Sequence, residues 1–313
     1  MKLRDEVVED FFRFIVKRHE AYHNRFVLRL PPPWTDDLII RKYRFCNVYR
    51  ELDKGTLYVI NNLVPYARSV SPVDFPDDRS WRVQANFVFN VITYRKFNWP
   101  LTHEALAEAF GNYSDCRHIM VHWDEHHAFK LLEKFKKNQK VQSNAFTLVA
   151  QGGTLANRLK GITEIWKRKE QITTDLRNAS TLREAFNVIE ALPQLGGFMA
   201  YEIVIDLNYA QTVVAYSEND FVNAGPGCIR GLNLMIVRDD RGVYKYVDAM
   251  QELWSRQRDE LERTRLRVTL DKKLTLRNIE HSLCEYFKYV RIKNGGHAKF
   301  GFSEVEAYKA DNA

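Results

Sequence analysis

The residues with the clearest chemical potential form a turn between two helical patterns. The segment from Leu192 to Ala200 reads LPQLGGFMA, and it joins an amphipathic stretch that begins at Ser180 to an apolar one that ends at Leu207. A turn with glycines exposes backbone N–H groups at the start of the following helix, and such groups hold phosphate well. The pattern predicts a phosphate-holding hairpin at about 180–209, or else an ordinary turn in a helical core.

This segment resembles the helix-hairpin-helix motif of the DNA glycosylase superfamily, with Gln194 in place of the usual first glycine. The resemblance implies that Gln194, Gly196, Gly197 and Phe198 contact DNA. The resemblance implies no cofactor, and it leaves open whether a monovalent cation binds at the hairpin. Phe198 occupies the position at which lyase-competent glycosylases carry a lysine, so we do not expect Schiff-base chemistry.

In the same superfamily, a catalytic aspartate follows the hairpin after one further helix and a short loop. The matching loop here runs from Ser217 to Phe221, and Asp220 is therefore the candidate catalytic carboxylate. It would deprotonate or orient an incoming amine, or activate water in a hydrolytic enzyme. The alternative is that Asp220 only caps a turn, which is a common role for aspartate in loops.

A second group of candidates is rich in arginine. Arg41, Arg44, Asn47 and Arg50 follow Thr35-Asp36-Asp37, which are good helix-starting residues, and the apolar spacing predicts a helix from about 36 to 52. Such a helix would place Arg41, Arg44 and Asn47 on a shared flank. Arginines there would stabilise a phosphate leaving group, or they are solvated residues and salt-bridge partners.

Two further segments add candidates for phosphate binding. Gly225 and Gly227 would allow a ligand to approach the backbone closely, and Arg230 could then clamp phosphate oxygens. Glu285 and Lys288 are one helical turn apart, so they form either a surface ion pair or a ligand-binding pair.

A run of histidines raises the question of a metal. His118, His122 and His126 recur every four residues within a predicted helix at 117–137, where two of them could chelate zinc. The pattern lacks the H-E-x-x-H spacing and a third ligand, and a partly buried polar helix face explains it equally well. We therefore expect no metal.

The elements that must position these residues are almost all helical. Apolar residues recur with a helical period over 5–25, and further helices are predicted at about 80–97, 102–109, 155–169, 180–192, 197–209, 241–263 and 275–293. Alternating strand patterns are scarce, and repeats and low-complexity linkers are absent. The predicted fold class is mainly α. We expect one multi-helix body over 1–313, and whether it divides into two lobes is left open.

The composition and the motifs of the chain exclude several classes of protein. The 313 residues are 45% hydrophobic and 13% aromatic, which excludes disorder as the main state. The 47 Lys and Arg against 40 Asp and Glu give a net charge of +7, which is compatible with a polyanionic partner. Apolar runs are too short to span a membrane, no P-loop occurs, and the four cysteines form no C-x-x-C pair. We expect a cytoplasmic protein with no membrane partner.

Four segments together resemble one family over about residues 10–300. They are Pro33 to Asp37, the stretch RKYRFCNVYRE from Arg41 to Glu51, Ala224 to Leu232, and EHSLCEYFKY from Glu280 to Tyr289. The family is the α-glutamyl/putrescinyl-thymine pyrophosphorylase group, the helical domain associated with 5-hydroxymethyluracil DNA kinases. Phe287, where an acidic residue is expected, departs from the family pattern.

The resemblance implies an enzyme of thymine hypermodification in bacteriophage DNA, with a helix-hairpin-helix glycosylase-like architecture. An amine, from an amino acid or a polyamine, would displace (pyro)phosphate from the exocyclic methylene of a modified thymine in double-stranded DNA. A hydroxymethyluracil DNA kinase would act upstream, and the modified base would leave the stack. Two rivals remain, namely an N-glycosylase that excises a modified base and a non-catalytic DNA-binding partner of the kinase.

Overall fold

The computed structural model describes residues 2–70, 78–111, 117–143, 153–237, 245–264, 270, 272–297 and 301–311. In these ranges the chain is mainly helical, and its β-type pairings there are three isolated bridges, which confirms the predicted fold class. None of the described helices is long and apolar enough to cross a membrane. The chain divides into two compact units, unit 1 (Met1–Asp53 with Val222–Ala313) and unit 2 (Lys54–Phe221).

The helices follow one another along the chain with short connections. A π-helical turn, His23–Val27, continues the first helix, and a 3-10 turn, Arg50–Leu52, precedes the third. The α-helices are α1 Asp5–Tyr22, α2 Leu38–Lys42, α3 Lys54–Asn62, α4 Val64–Ala67, α5 Asp78–Phe97, α6 Pro100–Phe110, α7 Glu125–Phe135, α8 Leu155–Lys167, α9 Lys169–Asn178, α10 Leu182–Glu190, α11 Gly197–Asn208, α12 Pro226–Met235, α13 Tyr246–Arg263, α14 Leu276–Lys293 and α15 Glu304–Asp311.

Unit 1 is built around the contacts of α14 with α1, α12 and α13. Phe11 and Ile15 of α1 are fully buried, and Phe11 packs edge-on against Tyr286 of α14. Burial of one such side chain stabilises the fold by roughly 1.5–3 kcal/mol. The core of unit 1 thus fixes α14, whose other residues face the loop that follows α2.

The glycines of α12 allow it to approach α14 closely. A Cβ atom on Gly231 would lie 2.4 Å from the carbonyl oxygen of Leu283, and one on Gly227 would lie 2.9 Å from Cys284 Sγ. Both distances are shorter than real contacts. Gly227, which we predicted to open space for a ligand, therefore serves helix packing instead.

Unit 2 surrounds α5, which contacts α4, α6, α8, α9 and α11. Its apolar residues Phe87, Val88, Phe89, Val91 and Ile92 are all fully buried. These residues point in several directions around the helix, so α5 is buried on more than one face, as expected of a central helix.

The helix predicted at 36–52 is wrong beyond Lys42. Asp37 caps α2, since its Oδ1 accepts from the N–H groups of Ile39 and Ile40 at 2.9 and 3.1 Å. Tyr43 is then extended, and the N–H of Phe302 donates to the carbonyl of Lys42 at 2.7 Å. The apolar period beyond Lys42 reflects burial in unit 1 and not a helix, so Arg41, Arg44 and Asn47 do not share a helical flank.

The helix predicted at 117–137 is shorter than expected. Asp124 caps α7 by accepting from the N–H of His127 at 2.6 Å, so α7 starts at Glu125. His118 and His122 therefore precede the helix, and the four-residue spacing does not place them on one face with His126. Of the other predictions, the start of the helix at 241–263 lies partly outside the described residues.

Candidate functional site

The loop at residues 43–53 and the facing side of α14 form a polar cluster in unit 1. It contains Asn47, Arg50, Glu285 and Lys288, four of the seven residues predicted to bind substrate or phosphate. It also contains four residues that were not predicted as site residues, Arg18, Cys46, Asp53 and His281. We call this group the loop–α14 cluster.

Side chains from distant parts of the sequence hold the backbone of this loop. Arg18 of α1 donates to the carbonyl oxygens of Phe45 and Cys46, both at 3.0 Å, and to Asn47 Oδ1 at 2.9 Å. The N–H of Cys46 donates to Glu285 Oε2 at 2.9 Å. These bonds take the place of helical hydrogen bonds, and they satisfy polar backbone groups that would otherwise be costly to bury.

Asp53 is the hub of the cluster. Its carboxylate accepts from the N–H of Asn47 at 2.8 Å and from Arg50 at 2.6 Å, and His281 Nε2 lies 3.5 Å from Oδ2. Burial alone would raise the pKa of Asp53, but the nearby His281 ring and the Arg50 guanidinium outweigh it and lower that pKa well below its usual range. Asp53 is therefore a carboxylate at neutral pH.

Glu285 and Lys288 form an ion pair at 2.6 Å, and both side chains are largely buried. The Lys288 ammonium also lies 4.6 Å from the ring centre of Phe45, within range of a cation–π contact. Because Glu285 binds the loop backbone as well, this pair is part of the loop–α14 cluster and not an isolated surface pair.

Cys46 is a partly exposed thiol between the two carboxylates of the cluster. Burial, with the negative charges of Glu285 and Asp53, raises the pKa of Cys46 well above its ordinary value. Without a bound cation, the side chain is a thiol at neutral pH. Cys46, Asp53 and His281 offer ligand atoms that all lie within 4.8 Å of one another.

The other three predicted residues lie outside the cluster. Arg41 donates to Glu304 Oε2 at 2.8 Å and so ties α2 to α15. Arg230 is exposed, and its guanidinium lies 5.8 Å from the ring centre of Phe287. Arg44 is exposed and has no side-chain partner among the described residues, so it can reach an anion from solvent.

Arg18, Cys46, Asp53 and His281 were not predicted as site residues, although Asp53 and His281 left a local signal. Asp53 follows Arg50 by three residues, and His281 precedes Glu285 by four on α14, which is the spacing of one helix face. Arg18 lies on α1 and left no signal, because its contacts with the loop depend on tertiary packing.

The predicted hairpin lies in unit 2 as a tight turn between α10 and α11. Gln194 has a φ of 62°, a left-handed conformation that favours glycine, which is the residue usual at this position of the motif. Its Nε2 donates to the carbonyl of Asn157 at 2.6 Å, and Gly161 leaves the space that the side chain needs. Gly196 and Phe198 are exposed at the turn, while the Gln194 side chain is held inward against α8.

Asp220 lies at the end of unit 2 in an exposed turn. Its Oδ2 accepts from the N–H of Ser217 at 3.0 Å, and its own N–H donates to the carbonyl of Ser217 at 3.1 Å. The carboxylate therefore closes the turn and also faces solvent, so the geometry is compatible with both roles considered for it.

Two runs of basic residues, at 130–140 and 256–267, are candidate contacts for a DNA backbone. The lysines in and after α7 are exposed, and Lys136 among them lies 3.7 Å from Glu133, while three arginines of α13 pair with carboxylates of their own helix. These residues are Lys130, Lys134, Lys136, Lys137 and Lys140 for α7, and Arg256, Arg258 and Arg263 for α13. Arg265 and Arg267, which completed the second run, lie outside the described residues.

The chain is similar to proteins of thymine modification. Residues 5–298 match the family described as "5-hmdU DNA kinase, helical domain". A protein of Bacillus phage SP10 named "5-hmdU DNA kinase" is 24% identical over 307 residues, which cover 91% of this chain and 45% of that protein. The chain thus spans less than half the length of this relative. No solved structure matches the chain significantly.

Proposed function

The chain belongs to the family of 5-hmdU DNA kinase helical domains, and from this premise we propose that it acts in thymine hypermodification of bacteriophage DNA. The proposed reaction replaces a phosphate or pyrophosphate on 5-hydroxymethyluracil in DNA by an amine from an amino acid or a polyamine. The observation that supports the proposal is the contact of two resemblance segments, 41–51 and 280–289, in unit 1, where the N–H of Cys46 donates to Glu285 Oε2 at 2.9 Å.

Departure of the leaving group is the step that this cluster would assist. The bond between the exocyclic methylene carbon and a phosphate oxygen breaks, and negative charge collects on the departing group. Arg18, Arg50 and Lys288 outnumber the carboxylates Asp53 and Glu285, so the cluster carries an excess of positive charge. A preorganised cationic site stabilises the developing charge of such a leaving group.

The exposed arginines would make the direct contacts with the leaving group. Arg50 is only 8% exposed and already pairs with Asp53, so its contribution is a long-range field. Arg44 and Arg230 are open to solvent and can form charge-assisted hydrogen bonds with phosphate oxygens. We assign Arg44 and Arg230 to the leaving group, and Arg41 to holding α15 through Glu304.

The incoming amine must lose a proton before it can act as a nucleophile. We assign this role to Asp220, on the strength of its resemblance to the glycosylase aspartate and its exposed carboxylate. The hairpin residues Gln194, Gly196, Gly197 and Phe198 would hold the DNA backbone. Substitutions of Asp220 and substitutions of Arg44 and Arg230 test the two assignments separately.

A second candidate function follows from the comparison with the phage SP10 protein. That relative is named a kinase, and this chain covers 45% of it. A domain of this kind could present DNA to a hydroxymethyluracil kinase without catalysing a step of its own. Excision of the base by an N-glycosylase is the third possibility, and it would use the same hairpin and Asp220.

One experiment separates the three functions. The full chain is incubated with duplex DNA that carries phosphorylated or pyrophosphorylated 5-hydroxymethyluracil, together with amino acids and polyamines. Nucleosides and free bases are then analysed by mass spectrometry. We expect a nucleoside that has gained the mass of an amine and lost the phosphate. A released base would identify a glycosylase. DNA that the chain binds but leaves unchanged would indicate a non-catalytic DNA-binding domain.

Asp220 is tested by two substitutions that differ in their effect on the turn. Asp220→Asn keeps an oxygen that can accept from the N–H of Ser217 but cannot take a proton, whereas Asp220→Ala loses both functions. We expect both variants to be inactive in transfer and to bind DNA as the wild type does. Full activity of Asp220→Asn would reduce Asp220 to a turn cap.

A further inference from the structure

Cys46, Asp53 and His281 form a group whose shape suits a metal ion. The thiol comes from the loop, the carboxylate from the end of the 3-10 turn, and the imidazole from α14. One ligand atom from each lies within 4.8 Å of the other two, and all three residues are partly buried. We propose that this group binds a single zinc-type divalent ion, which nothing in the sequence pattern predicts.

The types of donor select the class of ion. A thiolate and an imidazole are ligands that zinc prefers, whereas magnesium and calcium take oxygen ligands almost exclusively. Structural zinc sites usually have four protein ligands and no open position. Three protein ligands, as here, leave one coordination position open to water or to an anion.

The surroundings already hold two of the ligands in place. Asp53 accepts from the N–H of Asn47 at 2.8 Å and from Arg50 at 2.6 Å, and the backbone of Cys46 is fixed by Arg18 and Glu285. Outer hydrogen bonds of this kind orient metal ligands in proteins. A carboxylate oxygen has two lone pairs, so these bonds leave Asp53 able to coordinate an ion.

His281 provides a second, independent observation. Its Nε2 atom is buried and has no hydrogen-bond partner among the described residues, and the approach to Asp53 Oδ2 is long at 3.5 Å. A buried ring nitrogen without a partner is costly, and a metal ion between His281 and Asp53 would satisfy it. Binding would also deprotonate the Cys46 thiol, with release of its proton to solvent.

The charges of the cluster indicate what would occupy the open position. A divalent ion adds to the positive charges of Arg18, Arg50 and Lys288, while the Cys46 thiolate, Asp53 and Glu285 supply three negative charges. The site keeps a positive excess, so an anionic oxygen ligand is favoured over a cationic or neutral organic one. Metal binding requires neither the proposed transfer reaction nor DNA, and it can fail or succeed independently of them.

The test is an anaerobic titration of the full chain with Co²⁺, which replaces zinc and reports a bound thiolate through a charge-transfer band in the near ultraviolet. We expect one Co²⁺ per chain, this band, and its loss when Zn²⁺ is added. Cys46→Ser should abolish the band, and His281→Gln should weaken binding by more than about 100-fold, since loss of an outer partner alone costs 10–100-fold.

Two matched controls and one measurement on the wild type keep the test decisive. Cys284→Ser and His297→Gln change the same residue types outside the group, and both should bind as the wild type does. Zn²⁺ should protect Cys46 of the wild type from alkylation, with peptide mass spectrometry as the readout, even if Cys46→Ser fails to fold. Absence of stoichiometric binding, or a band that survives in Cys46→Ser, would overturn the proposal.

Discussion

Two buried arginines illustrate how the two units use charge differently. Arg95 of unit 2 is fully buried and makes a two-pronged ion pair with Asp206, which is also buried. Its remaining donors reach Asn98 Oδ1 at 3.0 Å and Thr56 Oγ1 at 3.1 Å. The guanidinium is thus surrounded by fixed acceptors of its own unit, and the pair links α5 to α11.

Arg50 of unit 1 is buried to a similar degree, but its surroundings are different. Its partner Asp53 is shared with the loop backbone and lies close to His281, and the neighbouring residues Cys46 and Asn47 are partly exposed. A closed pair of opposite charges supports a fold, whereas a partly exposed cluster with an excess of one charge can act on a ligand. The difference indicates a structural role for Arg95, and it is consistent with the role that we propose for the loop–α14 cluster.

The largest effect is expected when the closed pair is broken. Arg95→Ala leaves the Asp206 carboxylate buried without its partner, and loss of one member of a buried pair costs about 3–5 kcal/mol of unfolding free energy. Urea denaturation followed by tryptophan fluorescence measures this loss. The control Lys167→Ala removes an exposed pair with Glu164 and should cost less than about 1 kcal/mol. Equal effects in both variants would contradict the structural role of Arg95.

Arg44→Ala should have the opposite profile. Arg44 is exposed and has no described partner, so its loss should leave the unfolding free energy unchanged. In the proposed transfer reaction it should lower kcat/KM about 10–100-fold, which corresponds to about 1.4–2.7 kcal/mol of leaving-group stabilisation. Arg13 of α1, which is partly exposed and pairs with Glu9 of its own helix, is the matched control. Comparable losses in Arg44→Ala and Arg13→Ala would remove Arg44 from the site.

Acid should destabilise unit 2 through His103. Burial, together with the nearby His118, lowers the pKa of His103 to about 3, whereas the unfolded value is near 6.5. Between these values the unfolded chain binds the extra proton, so stability falls as the pH drops through this window, by up to about 1.4 kcal/mol per pH unit. His103→Asn should flatten the slope relative to the wild type, measured by urea denaturation at several pH values. An unchanged slope, or the same flattening in the exposed variant His297→Asn, would contradict this assignment.

Arg230→Ala should have the smallest effect. The side chain is exposed and touches only the ring of Phe287 among the described contacts, so the unfolding free energy should change by less than about 0.5 kcal/mol. Use of phosphorylated DNA should weaken a few-fold, and binding of unmodified DNA should weaken less. A filter-binding or fluorescence assay with both DNAs measures the difference, and equal losses would refute a role at the leaving group.

Much of the helical scaffold could be predicted because its signals are local. Asp37, Thr181 and Thr275 each accept a hydrogen bond from a backbone N–H two or three residues ahead, and each lies within about two residues of a predicted helix start. The helical period of α1 and α14 is equally local. The candidate site could be predicted only in part, since four of its predicted residues meet in the loop–α14 cluster and the others do not.

The sequence by itself determined the mainly helical class, most helix starts and the turn before α11, because these depend on contacts within about four residues. The tertiary structure alone decided that residues 43–53 form a loop and not a helix, because Arg18 and Glu285, far away in the chain, bind its backbone. It also decided that Asp53 and His281 meet, although the chain between them passes through the whole of unit 2. Long-range hydrogen bonds of this kind outweigh a local helical pattern, and the local sequence does not predict them.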